Sequence, residues 1–245
     1  MWNIGQETPA AQRPAAATGR REKPEIPAEF KSESIEKLDQ AALIQILGEP
    51  GSEPAAIFRK AIACKRLAVI GTKESVPPLA ALLGDDRVSD YARDALESIP
   101  DPSADVALRE ALPRLKGLLL IGVISSIRRR RDSKAIEPLG KLIQGQDAAV
   151  AGAAALAVGE ISGPAASKVL VRALGATKGA AREGVAGGVL LCADRMMAED
   201  REEALALLDR LSRPDIPHNV RIPAMHQQVT AAASLKRPRT VPSAK

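Results

Sequence analysis

Two stretches of the chain are versions of one another: SVPPLAALLGDDRVSDYARDALESI at 75–99 and AIEPLGKLIQGQDAAVAGAAALAVGEI at 135–161. Each has a β-branched residue, then x-Pro-Leu, two spacers and a pair of large aliphatics. Each continues through a polar, Asp-containing turn into a segment rich in small residues that closes on Ile. Leu108 in ADVALREALPRL and Leu170 in SKVLVRAL hold the position of Leu79 and Leu139, so the spacings are 29, 31 and 31 residues. Weaker copies lie at Leu43 in AALIQIL and at Leu205 in EALALLDRL. A period of this length implies about six helix pairs of roughly 30 residues. Helices so short are marginal alone in water. They become stable by burying their apolar faces against neighbouring pairs, which is the logic of an α-solenoid.

Composition agrees. Hydrophobic residues make up 45% of the 245 residues but aromatics only 2%, and Ala and Leu dominate. Such a chain favours packed helices over strands, which prefer β-branched and aromatic residues. The net charge of +5 is unevenly placed. The Pro-, Ala-, Glu- and Arg-rich segment 1–33 is charge-balanced and is expected to be a disordered arm. The tail 234–245 carries Lys236, Arg237, Arg239 and Lys245 and is expected to be a basic disordered extension. The solenoid expected over 34–233 is therefore close to neutral, which disfavours a broad nucleic-acid footprint. The N-terminus shows no apolar core of a secretory signal, and no run reaches the ~20 apolar residues of a membrane span. The expectation is a cytoplasmic protein that does not enter the membrane.

One segment shows the helix pattern in detail. In PSADVALREALPRL, Ala104, Leu108, Ala111, Leu112 and Leu115 form an apolar stripe. Asp105 with Arg109, and Glu110 with Arg114, are spaced i,i+4 for ion pairs on the opposite face. Pro102 suits a first turn, where its missing N–H is harmless, and Pro113 ends or kinks the last turn.

The motif Pro78-Leu79-x-x-Leu82-Leu83-x-Asp85-x-x-Val88, its echo Pro138-Leu139-x-x-Leu142-Ile143 with Asp147-x-x-Val150, and the close Ala95-Leu96-Glu97-Ser98-Ile99 together resemble HEAT repeats. The resemblance covers about residues 53–212, and the chain is similar to bacterial HEAT-repeat proteins of unassigned role. It implies an all-α, right-handed α-solenoid of about six HEAT-like helix pairs. It also implies that Asp85 (or Asp86) and Asp147 tie down the turn into the second helix, for which N-capping is a sufficient reason. Pro223 and the basic tail depart from the pattern after about residue 222.

The stretch SSIRRRRDSKAI, 125–136, holds the densest charge. Within a helix-pair frame, Leu118 to Ile127 is the buried second helix of its unit. Arg128, Arg129, Arg130 and Arg131 are its last turn and exit, where cations meet the negative end of the helix dipole. Asp132 or Ser133 then caps the next helix. Four arginines could also grip an acidic partner or phosphates locally, but they do not make a duplex-length track.

No catalytic, cofactor-binding or metal-binding set emerges. His218 and His226 are two turns apart if a helix continues through Pro223, and there is no His-Glu-x-x-His or paired His-Glu. Cys64 and Cys192 lie about four repeats apart, beyond bridging reach, and read as small buried hydrophobes. Trp2, Phe30, Phe58 and Tyr91 are too scattered for base stacking. The small-residue segments AAVAGAAALAVGEIS and KGAAREGVAGGVLLCA suit close helix–helix approach or a shallow groove for a partner helix, and their glycines make that unit the softest.

The expected function is a non-enzymatic scaffold or adaptor without cofactors, binding a protein partner along one face. The residues singled out for that face are Arg87, Asp90, Arg93, Asp94 and Glu97 in one unit and Arg128, Arg129, Arg130 and Arg131 in the next. The alternatives are nucleic-acid or acidic-partner binding through Arg128–Arg131, and an accessory role to an enzyme, as in the bilin lyase-like HEAT proteins.

Overall fold

The computed structural model describes residues 33–235. The arm expected over 1–33 and the tail expected over 234–245 lie outside the described residues, apart from helical backbone at 33, 234 and 235. The helices are α1 (Glu33–Glu36), α2 (Gln40–Gly48), α3 (Pro54–Ile70), α4 (Val76–Ala81), α5 (Ser89–Ser98), α6 (Pro102–Ala111), α7 (Gly117–Arg130), α8 (Ile136–Ile143), α9 (Ala148–Ile161), α10 (Pro164–Ala176), α11 (Gly179–Met196), α12 (Arg201–Leu211) and α13 (His218–Leu235). Single 3₁₀ turns lie at Lys73–Ser75, Leu82–Gly84 and Ser133–Ala135, and no strand occurs among the described residues.

The helices pack as consecutive pairs, α2 on α3, α4 on α5, and so on to α12 on α13. The second members also touch in series, α3–α5–α7–α9–α11–α13, and form one continuous layer. The first members build the other layer, with α4 against both α2 and α6, and α8 against α10. This is a repeat-type, solenoid-like arrangement. The anchor positions read from the period line the seam between the layers. Leu43, Leu79, Leu108, Leu139 and Leu170 are all fully buried. Leu205 is only partly buried, and Leu207 and Leu208 take its place. The preceding α11, at 18 residues, is longer than the second helices before it and carries the register past the simple period.

Acidic residues start many of the helices, as their short side chains can accept the otherwise orphaned first-turn N–H groups. Asp39 accepts from Ala42, Asp101 from Ser103, Asp132 from Lys134, Asp147 from both Ala149 and Val150, and Asp200 from Glu203. Asp85 is different. Its carboxylate takes the backbone N–H and the guanidinium of Arg87 within the turn, and α5 is entered at Val88 without a side-chain cap. It pins the turn but does not cap the helix.

The Asp105–Arg109 ion pair expected within α6 does not form, and each member pairs with a residue of another element instead. Asp105 binds Arg130 at 2.5 Å, and Arg109 binds Asp132. Both combinations are largely withdrawn from water, where charge pairs are screened less than an exposed i,i+4 pair would be. Arg114 donates to the backbone carbonyl of Glu110 at 3.1 Å. The helix α6 ends at Ala111, before Pro113, while α13 continues through Pro223 and packs on α12 and α11.

The small-residue helices α9 and α11 meet at backbone distance. A Cβ placed on Gly188 would lie 2.4 Å from the Ala155 carbonyl oxygen, and one on Gly159 would lie 2.3 Å from that of Gly188. One on Gly184 would come within 2.7 Å of the Gly152 Cα. Glycine here allows close approach. At Gly117 and Gly179 it serves conformation: each opens a second helix at φ near +55° (54° and 56°), after Lys116 and Lys178 respectively.

Candidate functional site

The four arginines do not form one edge. Arg130 turns inward and is almost fully buried, its side chain 10% exposed. Its Nη1 donates to the carbonyls of Leu96 (2.9 Å), Glu97 (3.0 Å) and Ile99 (2.6 Å), its Nη2 to that of Asp101 (3.3 Å), and its Nε to Asp105. These carbonyls lie at the end of α5 and in the turn after it, where helix carbonyls have no partner of their own. A side chain from α7 thus caps the C-terminus of the preceding second helix. Arg129 binds Glu97 at 2.9 Å, and Arg131, a left-handed C-cap at φ 52°, binds Glu160 on α9 at 3.0 Å. Glu160 also receives Arg195 from α11 at 2.6 Å. Burial pushes the Glu160 carboxyl up, but the Arg195 and Arg131 guanidiniums outweigh this and hold it below the ordinary carboxylate range. Arg128 is half-buried.

The residues singled out on α5 and the turn before it divide in the same way. Arg93 reaches across to α7, donating to the Gly122 carbonyl at 3.2 Å and to Ser126 at 3.4 Å, and pairs with Asp90. Its guanidinium occupies the space a side chain at Gly122 would need. Glu97 is consumed by Arg129. Arg87 is held by Asp85 and by the Ser52 carbonyl. Asp90 and Asp94 remain open to solvent on either side of Tyr91, over whose ring the Lys65 Nζ sits at 5.4 Å. Arg93, Glu97, Arg129 and Arg130 are therefore ties between repeats.

The face has a second component that the charge pattern hides. The exposed large hydrophobics among the described residues are Val69 (76%) on α3, Tyr91 on α5, Leu118 (86%) on α7, Leu156 on α9, Ile222, Met225 and Val229 on α13, and Val106 on α6. All but Val106 belong to second helices. Each second helix packs on its own first helix, and α5, α7, α9 and α11 have a second helix on each flank, whereas α3 and α13 end the layer. Gly187 of α11 lies beside Leu156, with space for a Cβ 3.8 Å from its Cδ2, and Gly187 and Leu190 are half-buried. Leu118 contradicts the expected burial of the run from Leu118 to Ile127. The buried register there is Leu120, Val123, Ile124 and Ile127, and Leu118 points away from it. First helices expose charge, including Glu137, Lys141, Lys168, Arg172 and Arg210, and second helices expose Lys65, Asp94, Glu183, Asp194 and Arg195 as well.

The other reactive groups are quiet. His218 and His226 share α13 and are exposed, and among the described residues no cluster of His, Cys, Asp or Glu could hold a metal ion. No described helix is long and apolar enough to cross a membrane. Cys64 and Cys192 are free and buried, and burial pushes their thiols up to about 12 and about 11. Since the thiolate is the nucleophile, neither cysteine is expected to react with iodoacetamide at pH 8 in the native protein, and both should react in denaturant. Mass spectrometry of the alkylated chain reads this, and rapid native labelling of either cysteine would contradict the packing.

No protein-family model matches the chain, and no curated protein matches it. What the structure defines is the class: an all-α, repeat-type helical protein whose exposed large hydrophobics, among the described residues, lie mainly on the second helices.

Proposed function

We propose that the chain is a non-enzymatic scaffold: a HEAT-like, right-handed solenoid of about six helix pairs that binds a protein partner along its second-helix face. The observation that carries this reading is the segregation of exposed large hydrophobics onto the second helices, from Val69 at one end to Val229 at the other. Contiguous apolar surface rimmed by charge marks interaction sites on soluble proteins. Tyr91, flanked by Asp90 and Asp94 and covered by Lys65, has the amphipathic make-up of an interface anchor. The nucleic-acid alternative is disfavoured because Arg129, Arg130 and Arg131 each have a carboxylate partner, leaving few unopposed cations for phosphates.

The test is affinity co-purification of the full chain from nuclease-treated extract, comparing wild type with Leu118→Glu, Leu156→Glu and Val106→Glu. Each second-helix substitution is expected to weaken capture of a stoichiometric protein partner by about tenfold or more, as for an interface anchor, while Val106→Glu leaves it unchanged. Loss of every partner on nuclease treatment, or equal sensitivity to Val106→Glu, would overturn the reading.

A further inference from the structure

A second constellation lies on the opposite layer, away from the apolar face. Between α10 and α12 is a small cavity of about 90 Å³ lined by Val171, Leu174, Gly175, Arg182, Arg210 and Arg213. Three arginines contribute to its lining, and no acidic residue does. Arg182 is fixed in place: it donates to the Leu174 carbonyl, to the Thr177 carbonyl at 3.4 Å and to the Asp215 carboxylate. Its Nε is nevertheless buried without a hydrogen-bond partner. A buried, unmatched donor on a charged group is costly. Arg210 and Arg213 have no side-chain ion pair or hydrogen bond among the described residues.

The charges set the ligand. Asp215 offsets Arg182, and Asp209 is exposed on the neighbouring residue to Arg210. At the C-terminus of α10, Arg182 takes the Leu174 carbonyl and Thr177 takes that of Ala173. Arg210 and Arg213 remain uncompensated at the cavity, two positive charges. A phosphate carries about −1.5 to −2 at neutral pH and presents oxygens that accept from guanidinium forks. The cavity accommodates one such group but not an attached ring. Lys178 and the uncapped N-terminus of α11 add positive potential one turn from Arg182.

We infer that Arg182, Arg210 and Arg213 form a binding site for a single phosphate group, free or at the end of a small phosphate monoester, and that its occupation ties α10, α11 and α12 together. Arg210 and Arg213 are the groups that neutralise the ligand, and Arg182 completes the arginine lining.

The experiment is isothermal titration of the full chain with inorganic phosphate, with O-phosphoethanolamine as the monoester, at constant ionic strength set with chloride. Saturable binding of phosphate is expected with Kd at or below about 1 mM, with the thermal midpoint rising as phosphate is added because the ligand binds only the folded chain. Binding of the monoester as well assigns an end-group site, whereas binding of phosphate alone assigns the free ion. Arg210→Gln and Arg213→Gln should each weaken binding at least tenfold while leaving the phosphate-free melting temperature unchanged, since neither side chain has a partner to lose. Arg172→Gln, which does not line the cavity, should bind as wild type. Absence of saturable phosphate binding by the wild-type chain, or equal binding by the Arg210 and Arg213 variants, would overturn the assignment.

Discussion

Arg130→Ala is expected to lower the free energy of unfolding by about 3–5 kcal/mol, the range for removing one member of a buried charge pair. The reason lies in what the side chain leaves behind. Asp105, only a quarter exposed, loses its cation, and the carbonyls of Leu96, Glu97, Ile99 and Asp101 lose their donor. Those carbonyls belong to the preceding repeat, so the substitution loosens α5 and α6 as well as α7. Arg130→Lys should recover only part of the loss, because an ammonium cannot present five donors in a planar fork. Arg129→Ala is the control. Its guanidinium is mostly exposed, and its pair with Glu97 should be worth within about 1 kcal/mol. Urea unfolding followed by circular dichroism distinguishes these. A loss below about 1 kcal/mol for Arg130→Ala, no larger than for an exposed pair, would mean that Arg130 does not cap α5.

Gly188→Val is expected to be of similar size through a different mechanism. Its first added carbon would sit 2.4 Å from the Ala155 carbonyl oxygen, and that atom is backbone, unable to swing aside. The helices α9 and α11 would have to separate, exposing the face of Ala154, Ala155, Val158, Val185 and Val189. Overpacking costs typically 1–3 kcal/mol and more where the backbone cannot yield, so loss of cooperative unfolding at the C-terminal half is the expected outcome. Gly187→Ala, one residue away on the same helix, meets only Leu156 at an ordinary 3.8 Å. It should be neutral or stabilising by up to about 1 kcal/mol, since alanine is the better helix former. A reversed order for these two substitutions would refute the close α9–α11 packing.

Periodicity was the legible part of this molecule. Leu79, Leu108, Leu139 and Leu170 sit in the seam where their spacing puts them, because burial of one residue per turn repeats with the structural unit. Asp147 and Asp132 cap helices as short acidic side chains before a helical pattern should. The direction of Arg130 was not legible. Its acceptors lie 29 to 34 residues upstream, and one sequence holds no signal that joins them. The i,i+4 spacing of Asp105 and Arg109 was a true local pattern overridden by partners at the end of α7 and in the turn after it. Leu118 was hidden by its neighbours: in an unbroken apolar run, only the register of Leu120, Val123, Ile124 and Ile127 reveals that it faces out. The Arg182, Arg210 and Arg213 cluster draws on α11, α12 and the turn after α12, and nothing in the sequence joins its members before the fold assembles them.

A partner docked on the second-helix layer must touch the exposed side chains of that layer. Site-specific photo-crosslinking tests it most directly, with a benzophenone amino acid placed in turn at Leu118, Leu156 and Val106 of the full chain and irradiated in nuclease-treated extract. One common protein adduct is expected from Leu118 and Leu156, and none from Val106. An adduct from Val106 of equal yield, or no protein adduct from either second-helix position, would contradict it.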